Sequence, residues 1–340
     1  VTSLAAVLLG CGASGLLLAA GGADPAAALR EFWSGSFGSL AALQGTLVKA
    51  IPLCLCALGL APAFRMNLWN VGAEGQLQAG AAAAAGVALA CPGAPGWFLL
   101  PAMLLAAMAA GGLLALVAGL LRAFLSVSEV IVTLMLNYVA VLGVEYLVQG
   151  PWRDPETFGF PLTPPFGPGA ALPVLGGSRV HLGLLFALGA APLLHLALWR
   201  TRLGFEVRAI GQNPGAARYA GMDVRRAILA VLFASGSLAG LAGMAEVAGL
   251  HHRLQPGFSP GYGYTAIIVA ALAGFHPLLI PAVALLFGGL LTGGDMVRIS
   301  LGLPLALVNI VQGLVLCFVL AGGFLRTRRF RLVREGGDDA

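Results

Sequence analysis

Charge is what this sequence has least of. Only 10% of its 340 residues are charged, against about a quarter in soluble domains, while 59% are hydrophobic. A water-soluble globule has no interior large enough to hide that much apolar surface, so a soluble fold is excluded. Lysine is scarcer still, with Lys49 the single one. A phosphate-cradling loop needs Gly-x-x-x-x-Gly-Lys-[Ser/Thr], and Lys49 stands in LVKAIPL; the chain cannot itself hold and hydrolyse ATP. Gly-x-Ser-x-Gly, His-Glu-x-x-His and Cys-x-x-Cys are absent, and the five His are scattered, so neither catalysis nor a metal or cofactor site is expected. The five Cys, at 11, 54, 56, 91 and 317, lie in or at the edge of apolar runs and read as small buried hydrophobes. The formal net charge of +5 does not point to nucleic acid, because the Arg residues cluster at the ends of apolar segments, which is how membrane topology is set.

Long apolar windows are what the chain does have. They fall at residues 3–21, 46–64, 76–92, 97–121, 127–149, 181–199, 227–249, 264–280, 278–297 and 304–323. About 20 apolar residues span a bilayer as a helix, and a helix satisfies its own backbone where no water can. The expectation is therefore an all-α polytopic membrane protein of about ten spans, a single transmembrane domain over residues 1–323 with a basic tail at 324–340. The eighth and ninth windows abut at His276-Pro277. A polar, Trp-bearing stretch lies at 24–45, a Pro-rich loop at 150–180 and a basic loop at 200–226. The Pro-rich loop reads as stiff, extended backbone, serving as a lid, a contact surface for an external partner or a plain connector. With the N-terminus inside, 13 of the 19 basic residues (Arg65, Arg122, six Arg in 200–226 and five in the tail) are cytoplasmic, and the positive-inside rule selects that N-in, C-in orientation.

Two stretches carry chemistry. Residues 64–80, FRMNLWNVGAEGQLQAG, set Asn67, Asn70, Glu74 and Gln76 among apolar spans, with glycines at 72, 75 and 80. Polar groups at such depth face a bundle interior or a watery cavity, and Gly72 and Gly75 allow a break that offers backbone groups to a solute. The alternative is a plain turn between helices. In the basic loop, RTRLGFEVRAIGQNPGAARYAG at 200–221, Asn213 suits an N-cap, Pro214 the first helical position and Gly221 the residue just past the end. They predict a two-turn helix over 214–220, which is stable only if packed on its own membrane domain or docked into a soluble partner.

These stretches also carry a resemblance. NVGAEGQ at residues 70–76 resembles the FNIGAEGQ signature, and RAIGQNPGAARYAG at 208–221 is similar to the RAxGxNxxAAxYAG loop, of permeases in the branched-chain amino acid, ribose and nucleoside group of ABC importers. The likeness covers nearly the whole chain and leans to the longer of the two permeases of nucleoside importers. Leu68-Trp69 stands where the family often has Leu-Phe, and Val71 replaces Ile. The resemblance implies a type II-like importer permease of the bacterial inner membrane, with a second permease subunit, a cytoplasmic ATP-binding subunit and an extracytoplasmic solute-binding protein as partners. The polar, Gly-rich break marks Asn67, Trp69, Asn70, Gly72, Glu74, Gly75 and Gln76 as the expected substrate pathway. ATPase coupling falls on Arg208, Gly211, Asn213, Pro214, Ala217, Tyr219 and Gly221. Nucleosides are the implied cargo, simple sugars of the ribose type the nearest competitor, and an ion-coupled transporter the reading from another class.

Other polar residues near spans invite plainer readings. Asn137, Asn309 and Gln312 suit interhelical hydrogen bonds, Glu145 and Asp295 lie near outward ends, and Glu246 is placed to pair with Arg253. Gly236, Gly240 and Gly243, and Gly289 with Gly293, read as close helix packing.

Overall fold

The computed structural model describes residues 24–304 except 158, with residues 12, 13, 15, 16, 19, 310, 313, 314 and 317. The windows at 3–21 and 304–323, Asn309, Gln312 and the basic tail thus lie wholly or largely outside the described residues. Helices follow one another as α1 Pro25–Ser36, α2 Leu40–Arg65, α3 Ala73–Ala90, α4 Gly96–Leu125, α5 Glu129–Gln149, α6 Gly183–Arg200, α7 Arg202–Gln212, α8 Pro214–Tyr219, α9 Val224–Glu246, α10 Tyr262–Leu272 and α11 Ile280–Leu301. The strand-type pairing among the described residues is a single bridge between Val174 and His181. Residues 36–292 make one compact unit and residues 1–35 with 293–340 another.

Six of these helices, α2, α4, α5, α6, α9 with its extension to His251, and α11, are long and apolar enough to cross a membrane. α2 lies at the centre of the larger unit. Ser39 caps it, accepting from the Ala42 N–H at 3.1 Å, and every residue from Ala50 to Phe64 is buried. Its 26 residues reach about 39 Å at 1.5 Å per residue, and Pro52 and Pro62 are accommodated within it. α3 matches the third window but consists mostly of Ala and Gly. The eighth window becomes the 11-residue α10, ended by left-handed Gly274 and Phe275 ahead of Pro277, so the division from α11 is a turn over 273–279.

Backbone contact between helices organises the unit. A Cβ on Gly80 of α3 would meet the backbone of Gly240 of α9; one on Gly240 would meet the Ala107 carbonyl and Gly111 of α4; one on Gly236 would meet the Gly111 carbonyl; and one on Gly243 would meet the Leu77 carbonyl. The glycine series thus brings α3, α4 and α9 to backbone distance, where dispersion gathers over many atoms. Gly289 lies under the Phe37 ring, 2.6 Å from where its Cβ would stand. α5 contrasts with α2, since Ile131, Met135, Tyr138, Val139, Leu142 and Tyr146 are all exposed.

The stretch at 24–45, to which the sequence pattern assigns no secondary structure, is helical at both ends: Asp24 accepts from the Ala26 N–H at 2.9 Å, Pro25 takes the first position, and Ala28 and Phe32, one turn apart, pack with Val297 and Leu301. Two expectations are corrected. Cys54 and Cys56 are buried but Cys91 and Cys317 are exposed, Cys91 because α3 ends just before it. Glu246 faces His251, 3.6 Å from Oε1 to Nε2, rather than Arg253. The cause is the π turn at Val247–His251, whose wider pitch brings the residue five positions on back over Glu246. The chain then leaves through left-handed His252 before it reaches Arg253.

The Pro-rich loop is no free connector. Its backbone N–H groups at Thr163, Phe166 and Leu172 donate to the carbonyls of Leu254, His252 and Ala248 at 3.2, 2.8 and 2.9 Å. It therefore lies across the exit of α9, and a cleft of about 670 Å³ opens beside it, lined by Pro92, Trp97, Leu100, Pro168 and Pro173.

Replacing Gly240 with Val should force α4 and α9 apart at a cost of roughly 1–3 kcal/mol or more, read as loss of folded protein in the membrane fraction. Gly143→Val on α5, where a Cβ meets nothing within 4 Å, should leave the yield unchanged; equal yields for both would refute the packing account.

Candidate functional site

α2 ends in a motif built on Asn67. Leu68 N–H donates to Ala63 O at 2.9 Å and Asn67 N–H to Phe64 O at 3.0 Å, a Schellman pair around a residue at φ 56°. Glycine is the usual occupant of that left-handed position, and asparagine is a tolerated substitute. Asparagine adds a reach that glycine lacks: its Nδ2 donates to the carbonyl of Gly211, in the basic loop, at 2.6 Å. The break is thus made by Asn67. Gly72, at φ −83°, and Gly75 serve close approach instead: a Cβ on Gly72 would stand 2.8 Å from Gln76 Nε2, and one on Gly75 2.7 Å from Asn137.

Beyond the break two carboxamides lock face to face. Asn70 Nδ2 donates to Gln76 Oε1 at 2.9 Å and Gln76 Nε2 donates to Asn70 Oδ1 at 2.9 Å. Asn70 Nδ2 also donates to Ser235 Oγ on α9 at 2.9 Å, while its Oδ1 accepts the Gly72 N–H at 3.0 Å. Asn70 is fully buried and Gln76 nearly so. In a site of low dielectric such bonds strengthen one another, and an orphaned partner is costly.

Glu74, in the first turn of α3, reaches the start of a different helix. Its Oε2 accepts the Gly263 N–H of α10 at 2.8 Å, and a Cβ on Gly263 would collide with the Glu74 backbone. Two helix N-termini therefore converge on one carboxylate, the charge that helix dipoles favour there. Asn137 of α5 closes the far side: its Oδ1 accepts the Gly75 N–H at 2.8 Å, and its Nδ2 donates to Val71 O at 3.0 Å and lies 3.2 Å from the Tyr264 hydroxyl. The interhelical role read for Asn137 holds.

The edge of the break is pinned by a residue that the sequence reading missed. Buried Glu129 accepts the Trp69 N–H at 3.3 Å through Oε1 and pairs with Arg122 at 3.2 Å through Oε2. Its position just inside the start of α5, after the Arg that closes α4, was the available signal. Trp69 itself is 54% exposed, its ring 5.1 Å from that of Phe64.

The basic loop begins with a helix not foreseen, α7, capped by Thr201, whose hydroxyl accepts the Gly204 N–H at 3.1 Å. Gly211 closes its inner face so tightly that a Cβ would strike the Arg65 carbonyl. α8 follows as the cap residues imply. Asn213 Oδ1 accepts the N–H groups of Gly215 and Ala216, both at 3.0 Å, Pro214 opens the helix, and Gly221, at φ 79°, ends it with bonds from Gly221 N–H to Arg218 O and Met222 N–H to Ala217 O, both 3.0 Å. Ala217 is buried in a cluster with Met66, Val207 and Ile210, whereas Tyr219 is 97% exposed. α8 therefore packs on its own membrane domain along one face and leaves the other open.

Of the seven residues expected along a pathway, Asn70, Gly72, Glu74, Gly75 and Gln76 are all buried, Asn70, Gly72 and Gln76 bonded to one another and Glu74 and Gly75 to Gly263 and Asn137, while Asn67 and Trp69 are exposed beside them. Of the other seven, Gly211 is joined directly to Asn67, Asn213, Pro214, Ala217, Tyr219 and Gly221 build α8, and Arg208 points toward Trp199, its Cζ 5.9 Å from the ring. Two stretches more than 130 positions apart in the chain thus meet at Asn67 and Gly211.

A family described as branched-chain amino acid transport system / permease component matches residues 42–320. A glucose ABC transporter permease of Haloferax volcanii is 37% identical over 99% of this chain and 91% of its own length. A guanosine ABC transporter permease of Bacillus subtilis is 35% identical over 98% and 97%, and a nucleoside ABC transporter permease of Lactococcus lactis is 29% identical over 93% and 89%.

Changing Asn70 to Ala strands the Gln76 carboxamide, the Ser235 hydroxyl and the Gly72 N–H, and each buried orphan costs about 1–3 kcal/mol. Asn70→Ala and Gln76→Ala should each lower the unfolding midpoint in detergent, and the double variant should lose clearly less than the sum of the two. Strict additivity would mean that the amides do not act as a pair.

Proposed function

The chain belongs to the family of permease components of branched-chain amino acid transport systems, and from that premise we propose that it imports nucleosides as one transmembrane half of an ATP-driven transporter. The other half is a second permease subunit, the solute arrives on an extracytoplasmic binding protein, and hydrolysis takes place on cytoplasmic ATP-binding subunits. About ten spans cross the bacterial inner membrane with both termini inside. That orientation is supported by the clustering of Arg65, Arg122 and the basic loop at one end of the unit, linked through Trp69, Glu129, Asn67 and Gly211.

The observation that carries the reading is the clasp between Asn67 and Gly211. Closure of the ATP-binding subunits presses on the open face of α8. Because Ala217 is wedged among Met66, Val207 and Ile210, the push reaches the end of α2 rather than bending the loop. Asn67 passes it to the break, where the paired amides and the Glu74 contact with α10 separate or close. Such discrete repacking is what alternates access between inward and outward faces. The stretch of Asn67, Trp69, Asn70, Gly72, Glu74, Gly75 and Gln76 is then the wall of the route, packed shut in this conformation, and the Pro-rich loop across the exit of α9 is the surface that meets the binding protein.

For cargo, the family resemblance and the guanosine and nucleoside permeases among the relatives support nucleosides. The glucose permease, equally similar, supports a simple sugar as the second reading.

Uptake of radiolabelled uridine or adenosine into vesicles bearing the chain with its co-encoded subunits should require internal ATP. It should be abolished by Gly215→Arg, which alters only an exposed residue of α8. ATP-dependent glucose uptake instead would exchange the cargo and keep the mechanism, while ATP-independent uptake would overturn the ATP-driven reading. Unchanged uptake by Asn70→Ala or Glu74→Ala at normal protein levels would remove those residues from the route.

A further inference from the structure

Four groups from three separate stretches of the chain converge on one indole at the basic end of the larger unit. Trp199 closes α6. His195, one turn earlier, stacks on it with ring centres 4.7 Å apart, and His276, from the turn at 273–279, lies 5.1 Å from Trp199 and 5.2 Å from His195. The guanidinium carbon of Arg65 stands 4.6 Å from the same ring and that of Arg208 5.9 Å.

Each of these four can carry positive charge, and among the described residues no carboxylate pairs with any of them. The nearby acids are engaged elsewhere: Glu206 with Arg202, Asp223 with Arg226 and Glu129 with Arg122. Arg65 spends two N–H groups on carbonyls, Nε on Phe275 at 2.9 Å and Nη2 on Gly274 at 3.5 Å, which fixes it without neutralising it. Arg208 Nη1, His195 Nδ1 and His276 Nδ1 are shielded from solvent and have no hydrogen-bond partner. An unpartnered buried guanidinium N–H and two arginines close together without a counter-ion both oppose folding, and each imidazole can turn an N–H to a bound acceptor in the matching tautomer. One acceptor with several oxygens, brought from outside the chain, would relieve both.

We propose that Arg65, Arg208, His195 and His276 hold a phosphate group beside Trp199, supplied by an acidic lipid headgroup or as free phosphate. Arginine matches the planar, multi-oxygen geometry of phosphate and stacks on an aromatic face at the same time. Tryptophan at the end of a span belongs at headgroup level, and basic pockets between helices on the cytoplasmic side suit phosphate-bearing lipids. The bound group would join the end of α2, the end of α6, the basic loop and the turn before α11. It would brace the loop beside the clasp from Gly211 to Asn67, so that membrane composition tunes how firmly the loop is held.

The full chain is to be reconstituted in phosphatidylcholine alone or mixed with phosphatidylglycerol, extracted, and analysed for retained phosphatidylglycerol by native mass spectrometry. In parallel, inorganic phosphate is titrated into the phosphatidylcholine sample with tryptophan fluorescence as the readout. Arg208→Gln should lower lipid retention about fivefold and His276→Gln should lower it as well. Arg226→Gln, which removes an exposed charge from the same loop, should not. That pattern identifies the lipid as the source. Lipid retention equal in all variants, with a phosphate-dependent fluorescence change that Arg208→Gln and His276→Gln abolish, identifies free phosphate and keeps the site. The proposal is overturned if both variants match the wild type in both assays, or if Arg226→Gln weakens retention as much as they do. Should Arg208→Gln not fold, His276→Gln alone decides, since it leaves both arginines in place.

Discussion

An interrupted helix packed within protein must find a partner for every polar group that the interruption buries, because no water reaches it there. Residues 66–72 are such an interruption, and the rest of the larger unit is arranged to meet that demand. The Schellman bonds at Asn67 close the end of α2. The carboxamides of Asn70, Gln76 and Asn137 and the carboxylate of Glu74 then take up backbone and side-chain groups from α3, α5, α9 and α10. A buried polar cluster is costly if any member is unpaired, and in this conformation Asn70, Glu74, Gln76 and Asn137 are all paired.

The small residues serve the same end by another route. Asn70 can reach Ser235 and Glu74 can reach Gly263 only because α3 lies at backbone distance from α9 and α10, which Gly80, Gly240, Gly243 and Gly263 permit. The glycine contacts are the frame within which the polar bonds have their short distances. The same close packing seats the basic loop, with Gly211 against the Arg65 carbonyl and Ala217 in the cluster that holds Met66.

Much of this was legible in the sequence. Asn213, Pro214 and Gly221 set the bounds of α8 through local backbone chemistry, which needs no tertiary contact to be read. Apolar run lengths located the long helices, and the polar residues of 64–80 marked the site, since such side chains are tolerated near lipid only for a reason. The identity of the turn-forming residue was not legible, because Gly72 and Gly75 are the better formers by intrinsic preference and Asn67 prevails through its bond to a carbonyl 144 positions away. Nor was the partner of Glu246, because a π turn shifts the register by one residue at a place where the apolar pattern does not change.

What the sequence by itself determined was the solvent, the class of fold and the two stretches that matter, because hydrophobic run length, helix caps and motif spacing are local quantities. Only the tertiary structure decided what those stretches are joined to. That Asn67 holds Gly211, that Glu74 tops a second helix, and that His195, His276, Arg65 and Arg208 share one indole depend on helix separations set by backbone contact at glycines, and such distances are properties of the packed bundle rather than of any segment within it.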